Sequence, residues 1–449
     1  MKKLKRAKQC LSIFIVSSVL LSGCTKKDLP DSYLAGSDFQ YMYLNTIDGN
    51  EQQKTEEGNY FRIGHYLYFL DQETKKLVPL CNKADCLHDK ETDAEQFSRC
   101  NVYFKGNDEF QQRFCYYDGA LYVMDYERGK DGVSALNPDP VLYRVNTDGS
   151  GKEELHRWKK AEIMGWMVHR GMVYYIQHQF STPKDESANA MDEKYTVKKM
   201  EITKKGLGKP ELIYQPEEGL FVSSMGWLQA YGNHVYFSID ATTTDDEEKL
   251  LGEDYMDYEY YKHWQYDIQS EELKELKSPV NTAEVTNLTF WKDRLILQLW
   301  DQKEYQSDHK MPVYIADLDG SNPEILFESM EQGKAFFSDG KYLYVSNCCL
   351  VNDKIEEKIY YDVYDENLKQ VDTFAMPYSS VQDVTIGDEA GLYFTMMRKG
   401  TTGTTLVYFD KSKIGTCNKE AIPIEDIAYV EKTAADQIDE GGEDSDSED

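Results

Sequence analysis

One short pattern recurs along this chain and restricts what it can fold into. An apolar strand, a turn at Gly or Asp, and a second strand carrying an aromatic appear seven times. The copies are FRIGHYLYFL (61–70), CYYDGALYVM (115–124), MVHRGMVYYI (167–176), QAYGNHVYFSI (229–239), FWKDRLILQL (290–299), FFSDGKYLYV (336–345) and TIGDEAGLYF (385–394). Aligned on the second strand, they equate Tyr68, Tyr122, Tyr174, Tyr236, Ile296, Tyr344 and Tyr393, at intervals of 48 to 62 residues. A second hairpin follows each copy, clearest in VLYRVNTDGSGKEELH (141–156) and VYIADLDGSNPEILF (313–327), which turn at Asp-Gly-Ser. Asp-Gly favours a tight hairpin because glycine takes positive φ without strain. Two hairpins make a four-stranded antiparallel unit that cannot bury both faces alone. Stacked radially, each sheet covers its neighbour and the ring leaves no long free edge. The chain is therefore expected to be all-β, a β-propeller of seven four-stranded blades, with six or eight as alternatives. Helical repeats do not fit an apolar period of two. The segment 39–45, FQYMYLN, is expected to add a strand to the last blade and lock the ring. Asp317 to Gly320 matches part of a calcium loop but lacks its later glutamate, and reads as a turn.

The N-terminus sets an expected address. Five basic residues precede a short apolar run that ends Leu21-Ser22-Gly23-Cys24. The run is shorter than the ~20 residues a spanning helix needs, and has the order of a secretory signal. The closing four residues resemble the lipobox of bacterial lipoproteins. That resemblance implies cleavage before Cys24 and its acylation, hence a chain held to the outer face of the bacterial cell membrane. The expected division is a signal at 1–23, a lipid-anchored polar tether at 24–38, a propeller at 39–432 and a disordered acidic tail at 433–449. The full chain has 50 basic and 80 acidic residues, a net −30. The leader carries five of the basic residues and none of the acidic ones, so the remainder is near −35. Such a surface does not suit nucleic acid, whose phosphates need clustered Lys and Arg. No second apolar run is long enough to cross a bilayer.

With strands labelled a to d from the channel outward, a–b and c–d turns share one face of the ring, and b–c and d–a connections share the other. The long insertions fall between b and c, at 125–140, 180–194, 241–261, 301–311, 351–358 and 398–404. Long connections on a rigid ring often carry binding. Within 242–261, Asp245, Asp246, Tyr255, Tyr258 and Tyr260 mix carboxylate with aromatic surface, which suits a glycan, a cationic peptide or a cation.

The segment 80–104, LCNKADCLHDKETDAEQFSRCNVYF, holds Cys81, Cys86, His88 and Cys100. Read as a d–a connection after a strand at 77–80, it is expected on the same face as the long b–c insertions. Cys-Asn-Lys-x-Asp-Cys-x-His-Asp followed by Cys-Asn is similar to a segment of surface lipoproteins of gut Clostridia that resemble uncharacterised TolB-like propellers. The resemblance implies location and architecture, and no activity. Three chemistries stay open for the segment. Cys86 and Cys100 suit a disulfide, with Cys115 as an alternative partner for Cys81. The four side chains alternatively form a Cys₃His zinc site, or the thiols remain free.

No Gly-x-Ser-x-Gly, His-Glu-x-x-His or phosphate-binding glycine loop occurs. His65, His169 and His234 sit beside presumptive a–b turns and are expected to serve the fold. The function expected is a monomeric, non-catalytic surface propeller that binds a protein or glycan through the long-loop face. The alternative is an extracellular glycosidase or lyase using carboxylates at the channel mouth.

Overall fold

A computed structural model describes residues 29–40, 52–105, 113–127, 139–179 and 194–252, and most of 255–437. Seven consecutive antiparallel sheets make the seven blades of a β-propeller. Blade 1 is Gln52–Lys54, Gly58–Ile63, Tyr66–Asp71 and Leu77–Pro79; blade 2 is Phe114–Tyr117, Ala120–Glu127, Asp139–Asn146 and Lys152–Arg157. Blade 3 begins Ala161–His169, Met172–Gln179, Lys194–Thr203, and its fourth strand comes in two pieces, Gly206–Leu207 and Glu211–Tyr214. Blade 4 is Phe221–Tyr231, His234–Thr242, Glu259–Asp267 and Leu273–Leu276; blade 5 is Glu284–Trp291, Arg294–Trp300, Lys310–Asp317 and Glu324–Glu331. Blade 6 is Phe336–Ser338, Leu343–Asn347, Lys358–Tyr364 and Gln370–Pro377, and blade 7 is Val381–Thr385, Gly391–Met397, Thr404–Asp410 and Glu425–Val430. Several a–b turns are tight because two successive residues take left-handed φ, as at Asp118-Gly119 (47°, 77°) and Arg170-Gly171 (50°, 79°).

The core lies between blades. The seven aligned residues, Tyr68 to Tyr393, are all nearly or fully buried. Apolar clusters join blades 2 to 5, blades 5 and 6, blades 6 and 7, and blades 7, 1 and 2. Several buried Tyr hydroxyls find partners, as an apolar setting favours. Tyr236 donates to Leu318 O (2.6 Å) and Tyr344 to Asp339 Oδ2 (3.1 Å).

Two expectations need correction here. First, the 61–70 copy does not span strands a and b of its blade. Strand a of blade 1 is the short polar Gln52–Lys54, so Gly64-His65 forms the b–c turn and Tyr68 lies on strand c. Tyr60 is the true counterpart, since its hydroxyl reaches Thr147 O in the c–d turn of blade 2 (3.4 Å) as that of Tyr236 reaches Leu318 O in blade 5, while Phe61 faces the other way and meets Tyr393 of blade 7 at 5.4 Å. His65 therefore sits on the opposite face from His169 and His234. Second, among the described residues the four strands of blade 7 all come from 381–430, and Phe39 and Gln40 belong to no strand. Phe39 is buried near the ring of blades 2 to 4, and residues 41–45 lie outside the described ones.

Both chain ends dock on the ring. Residues 29–38, expected within the tether, lie against the a–b turns of blades 3 and 4. Arg170 ties them, with Nε to Asp38 Oδ1 (2.7 Å) and Nη2 to the Pro30 and Ser32 carbonyls (both 3.0 Å). Asn233 N donates to Asp31 Oδ1 (2.9 Å), and Asn233 Nδ2 to Leu29 O (3.1 Å). His169 accepts from Phe39 N at Nδ1 (3.0 Å), so its Nε2–H faces Gly232 O (2.9 Å). At the other end, residues 433–437, expected in the disordered tail, form a turn with Ala435 buried. Asp436 there lies 3.6 Å from His65 Nε2 on blade 1.

Two measurements check this packing. Gly149 (φ +71°) in the c–d turn of blade 2 would carry a Cβ 1.7 Å from Leu80 O, whereas a Cβ at Gly119 (φ +77°) meets nothing within 4 Å. Gly149→Ala is expected to lose more than the ~1–2 kcal/mol that left-handed φ alone costs Gly119→Ala, read from urea midpoints. Equal losses would contradict the contact. Burial holds the His169 imidazole at about 4, against an ordinary 6.5. The unfolded chain protonates first on acidification, so this contribution is complete above the ordinary value and lost as pH falls toward the folded one. Roughly 2 kcal/mol of stability is expected to disappear through His169 between about pH 7 and 5. His169→Gln, weaker at neutral pH, should show a smaller loss over that range.

Candidate functional site

The thiol-bearing segment leaves strand d of blade 1 partway along and returns to it. Leu80 N donates to Leu67 O (3.0 Å), and the next group on that edge, Leu67 N, donates to Val102 O (3.2 Å). Tyr66 then bridges Tyr103, and Phe104 N donates to His65 O (2.9 Å). Residues 81–101 are thus an excursion from the outermost strand, not a d–a connection. They sit at the outer rim against blade 2, where Asn101 Nδ2 donates to Gly149 O (2.9 Å) in the c–d turn. Their return pairs beside the Gly64-His65 b–c turn of blade 1, while Asn101 reaches across to the c–d turn of blade 2.

The excursion gathers Cys81, Cys86, His88 and Cys100, whose ligand atoms all lie within 4.8 Å of one another. His88 takes left-handed φ (56°), and its N–H points to Cys86 Sγ (3.4 Å). Its Nδ1 lies 3.9 Å from Cys100 Sγ. Asp93 caps the short helix Ala94–Phe97, and Cys100 N donates to Phe97 O (3.0 Å), which sets the third sulfur. Lys83 Nζ donates to Arg99 O (2.6 Å) across the loop. An open cleft of about 270 Å³ reaches Cys86, His88 and Cys100 between Lys83 and Arg99. Burial, with Cys81 and Cys86 beside it, pushes the Cys100 thiol well above its ordinary range. The thiols are free, so the Cys86–Cys100 staple is not formed. Cys115 lies apart from the group, beneath blade 3, where Val168 N donates to its sulfur (3.4 Å), and cannot serve Cys81 as a partner. This arrangement is a four-ligand cluster of Cys and His suited to a metal ion.

Comparison with known proteins adds the fold. No family model and no curated protein matches the chain. Among solved structures, a prolyl endopeptidase superposes with a TM-score of 0.50 at 11% identity, over 86% of this chain and 50% of its own. A Mycobacterium tuberculosis puromycin-hydrolysing peptidase gives 0.47 at 10%, over 90% and 56%, and an oligogalacturonate lyase from Vibrio parahaemolyticus gives 0.45 at 14%, over 83% and 88%. The likeness is one of fold. The chain spans about half the length of the two peptidases.

The second candidate region is the face of the b–c connections. The topology places such a connection in every blade, and those of blades 2 to 7 are the long ones. In blade 4 the loop after Thr242 is held by its own backbone, with Thr243 N donating to Tyr258 O (2.8 Å). Asp245 and Asp246 are exposed, and Asp246 Oδ1 accepts from Glu248 N (3.1 Å) at the start of the helix Glu247–Leu250. Tyr255 opens the 3-10 turn Tyr255–Tyr258. Tyr258 is half-buried with the Lys249 ammonium 5.5 Å from its ring. Tyr260 is a strand residue of the blade, paired with Ala241 and hydrogen-bonded to Tyr214, so it serves packing as much as surface. The structure brings Asp246 and Tyr258 into one loop and does not bring them near the thiol cluster.

Sequence reasoning missed Arg113. It precedes strand a of blade 2, and its Nη1 donates to Trp166 O (2.9 Å) and Leu228 O (3.3 Å) on the inner strands of blades 3 and 4. A lone arginine just ahead of an apolar strand was its only signal. It braces the channel wall with its charge directed at backbone carbonyls.

Proposed function

We propose that the chain is an exported, lipid-anchored propeller that binds a protein or glycan through the face of its b–c connections, without catalysis. The observation that carries this reading is the docking of residues 29–38 on the a–b turn face. Four residues lie between Cys24 and Leu29, a span of at most ~18 Å even when fully extended. An acylated Cys24 would therefore hold the a–b turn face toward the bilayer. The b–c face, with its long insertions on a rigid scaffold, would then point away from the cell, where a partner arrives. The acidic surface supports a partner with cationic or neutral polar character. Any metal in the rim cluster, zinc first, would brace the fold and take no part in chemistry at this face.

Two arms test the proposal. Cys24→Ala should release the chain into the medium, and protease added to intact cells should cut within 180–194 while sparing 29–38. Cleavage of both at equal rates removes the orientation. Binding is probed with the full chain against glycan arrays and envelope proteins. A ligand retained by the parent chain and weakened roughly tenfold by Asp245→Ala with Tyr258→Ser carries the reading. A retained ligand indifferent to these and to every other b–c loop change would sink it, and turnover of a glycan would favour the enzyme alternative.

A further inference from the structure

We propose that Cys81, Cys86, His88 and Cys100 bind one zinc ion as a closed structural centre that splices the 81–101 excursion into the outer strand of blade 1. The proposal stands independently of the reading of the b–c face.

The donor set argues first. Three thiolates and one imidazole are soft ligands that favour zinc over calcium, magnesium or manganese, and four protein ligands leave no open position. The geometry is near what the ion requires. A tetrahedron with Zn–S near 2.3 Å has ligand edges of about 3.8 Å. The four donors already lie within 4.8 Å of one another, and Cys100 Sγ to His88 Nδ1 is 3.9 Å. Small side-chain rotations close the remainder. A disulfide would use two sulfurs and leave a third thiol and the imidazole crowded against it.

Beyond the cluster, the excursion is ordered only by a small core and scattered hydrogen bonds. Between Leu80 and Val102 it buries Cys81, Phe97, Cys100 and Asn101, while every residue from Asn82 to Gln96 is half or fully exposed. A segment of this length with so small a core normally needs a staple. The ligands fall where a staple acts best. Cys81 and Cys100 flank the points where strand d breaks and resumes, so one ion would fix both ends of the detour. Cys86 and His88 come from the turn between them, where the left-handed His88 brings the ring back over the sulfurs. The open cleft provides the ion's entry, and Lys83 and Arg99 line it. Their positive charge offsets the net −1 of a zinc bound by three thiolates and a neutral imidazole.

The test uses the full chain, purified from zinc-supplemented medium without reductant. One zinc per chain is expected. Exchange into cobalt should give the intense visible d–d bands of a tetrahedral thiolate site. Cys86→Ser and Cys100→Ser should each weaken metal retention roughly tenfold or more against a colorimetric chelator. His88→Ala, a half-exposed position that spares the buried sulfurs, should keep the fold yet shift the cobalt spectrum. Cys115→Ala should leave metal content and spectrum unchanged. Chelation should open 81–101 to proteolysis before the blades melt. A Cys86–Cys100 disulfide, four readily alkylated thiols with no bound metal, or a His88→Ala spectrum identical to that of the parent would each overturn the proposal.

Discussion

Packing of one sheet face against the next is the interaction on which the rest of this molecule depends. No blade has a buried face of its own. A four-stranded sheet with aromatics on both sides would expose them unless a neighbour lay across each. The buried residue at the second-strand position recurs because each blade presents the same face to the one after it. At the seam between the last and first blades the contact among the described residues is made without a shared strand. Phe61, Tyr393, Leu406 and Tyr408 supply apolar surface there, Lys54 pairs with Glu389, and Asp436 crosses to the Gly64-His65 turn. The seam is held by side chains where many rings use backbone ladders, so its stability rests on burial and a few ion pairs.

Much of this was legible in the sequence because the repeat is written in residue types whose physics is local. Asp-Gly and Arg-Gly turns impose hairpins, and alternating apolar residues impose strands. These gave the blade number and the face of the long insertions. The first blade escaped because its inner strand, Gln52–Lys54, is short and polar, and Gly64-His65 imitates the a–b turn found elsewhere. The phase of one repeat cannot be read when its weakest strand resembles a loop. The docking of 29–38 escaped for a related reason. Its bonds run to Arg170, Asn233 and Gln269, about 130 to 240 positions away, and polar loops carry no periodicity to reveal such partners.

The ring's two faces follow from strand count alone. With four antiparallel strands per blade, consecutive connections alternate between faces, so insertions of one kind gather without any long-range code. The N-terminal segment uses the face of short turns, where flat, rigid hairpins offer carbonyls and side chains at fixed heights. On the other face Asp436 docks at the Gly64-His65 turn of blade 1, where the b–c connection is short and no insertion competes. The two kinds of face are thus a consequence of topology.

The thiol cluster shows where such a ring tolerates interruption. The two middle strands of a blade are packed on both sides and pair on both edges, so a detour from them would break two ladders and a core. The outermost strand pairs on one edge, and leaving it between Leu80 and Val102 spares the register of Tyr66 to Leu70 with what remains. The break exposes little backbone, because Val102 to Phe104 resumes the pairing that Leu80 leaves. Gly149 of blade 2 then fits against Leu80 at a distance no side chain would allow. The Asp-Gly-Ser turn of that blade, legible as a hairpin signal, is therefore also the surface on which the detour of its neighbour is seated.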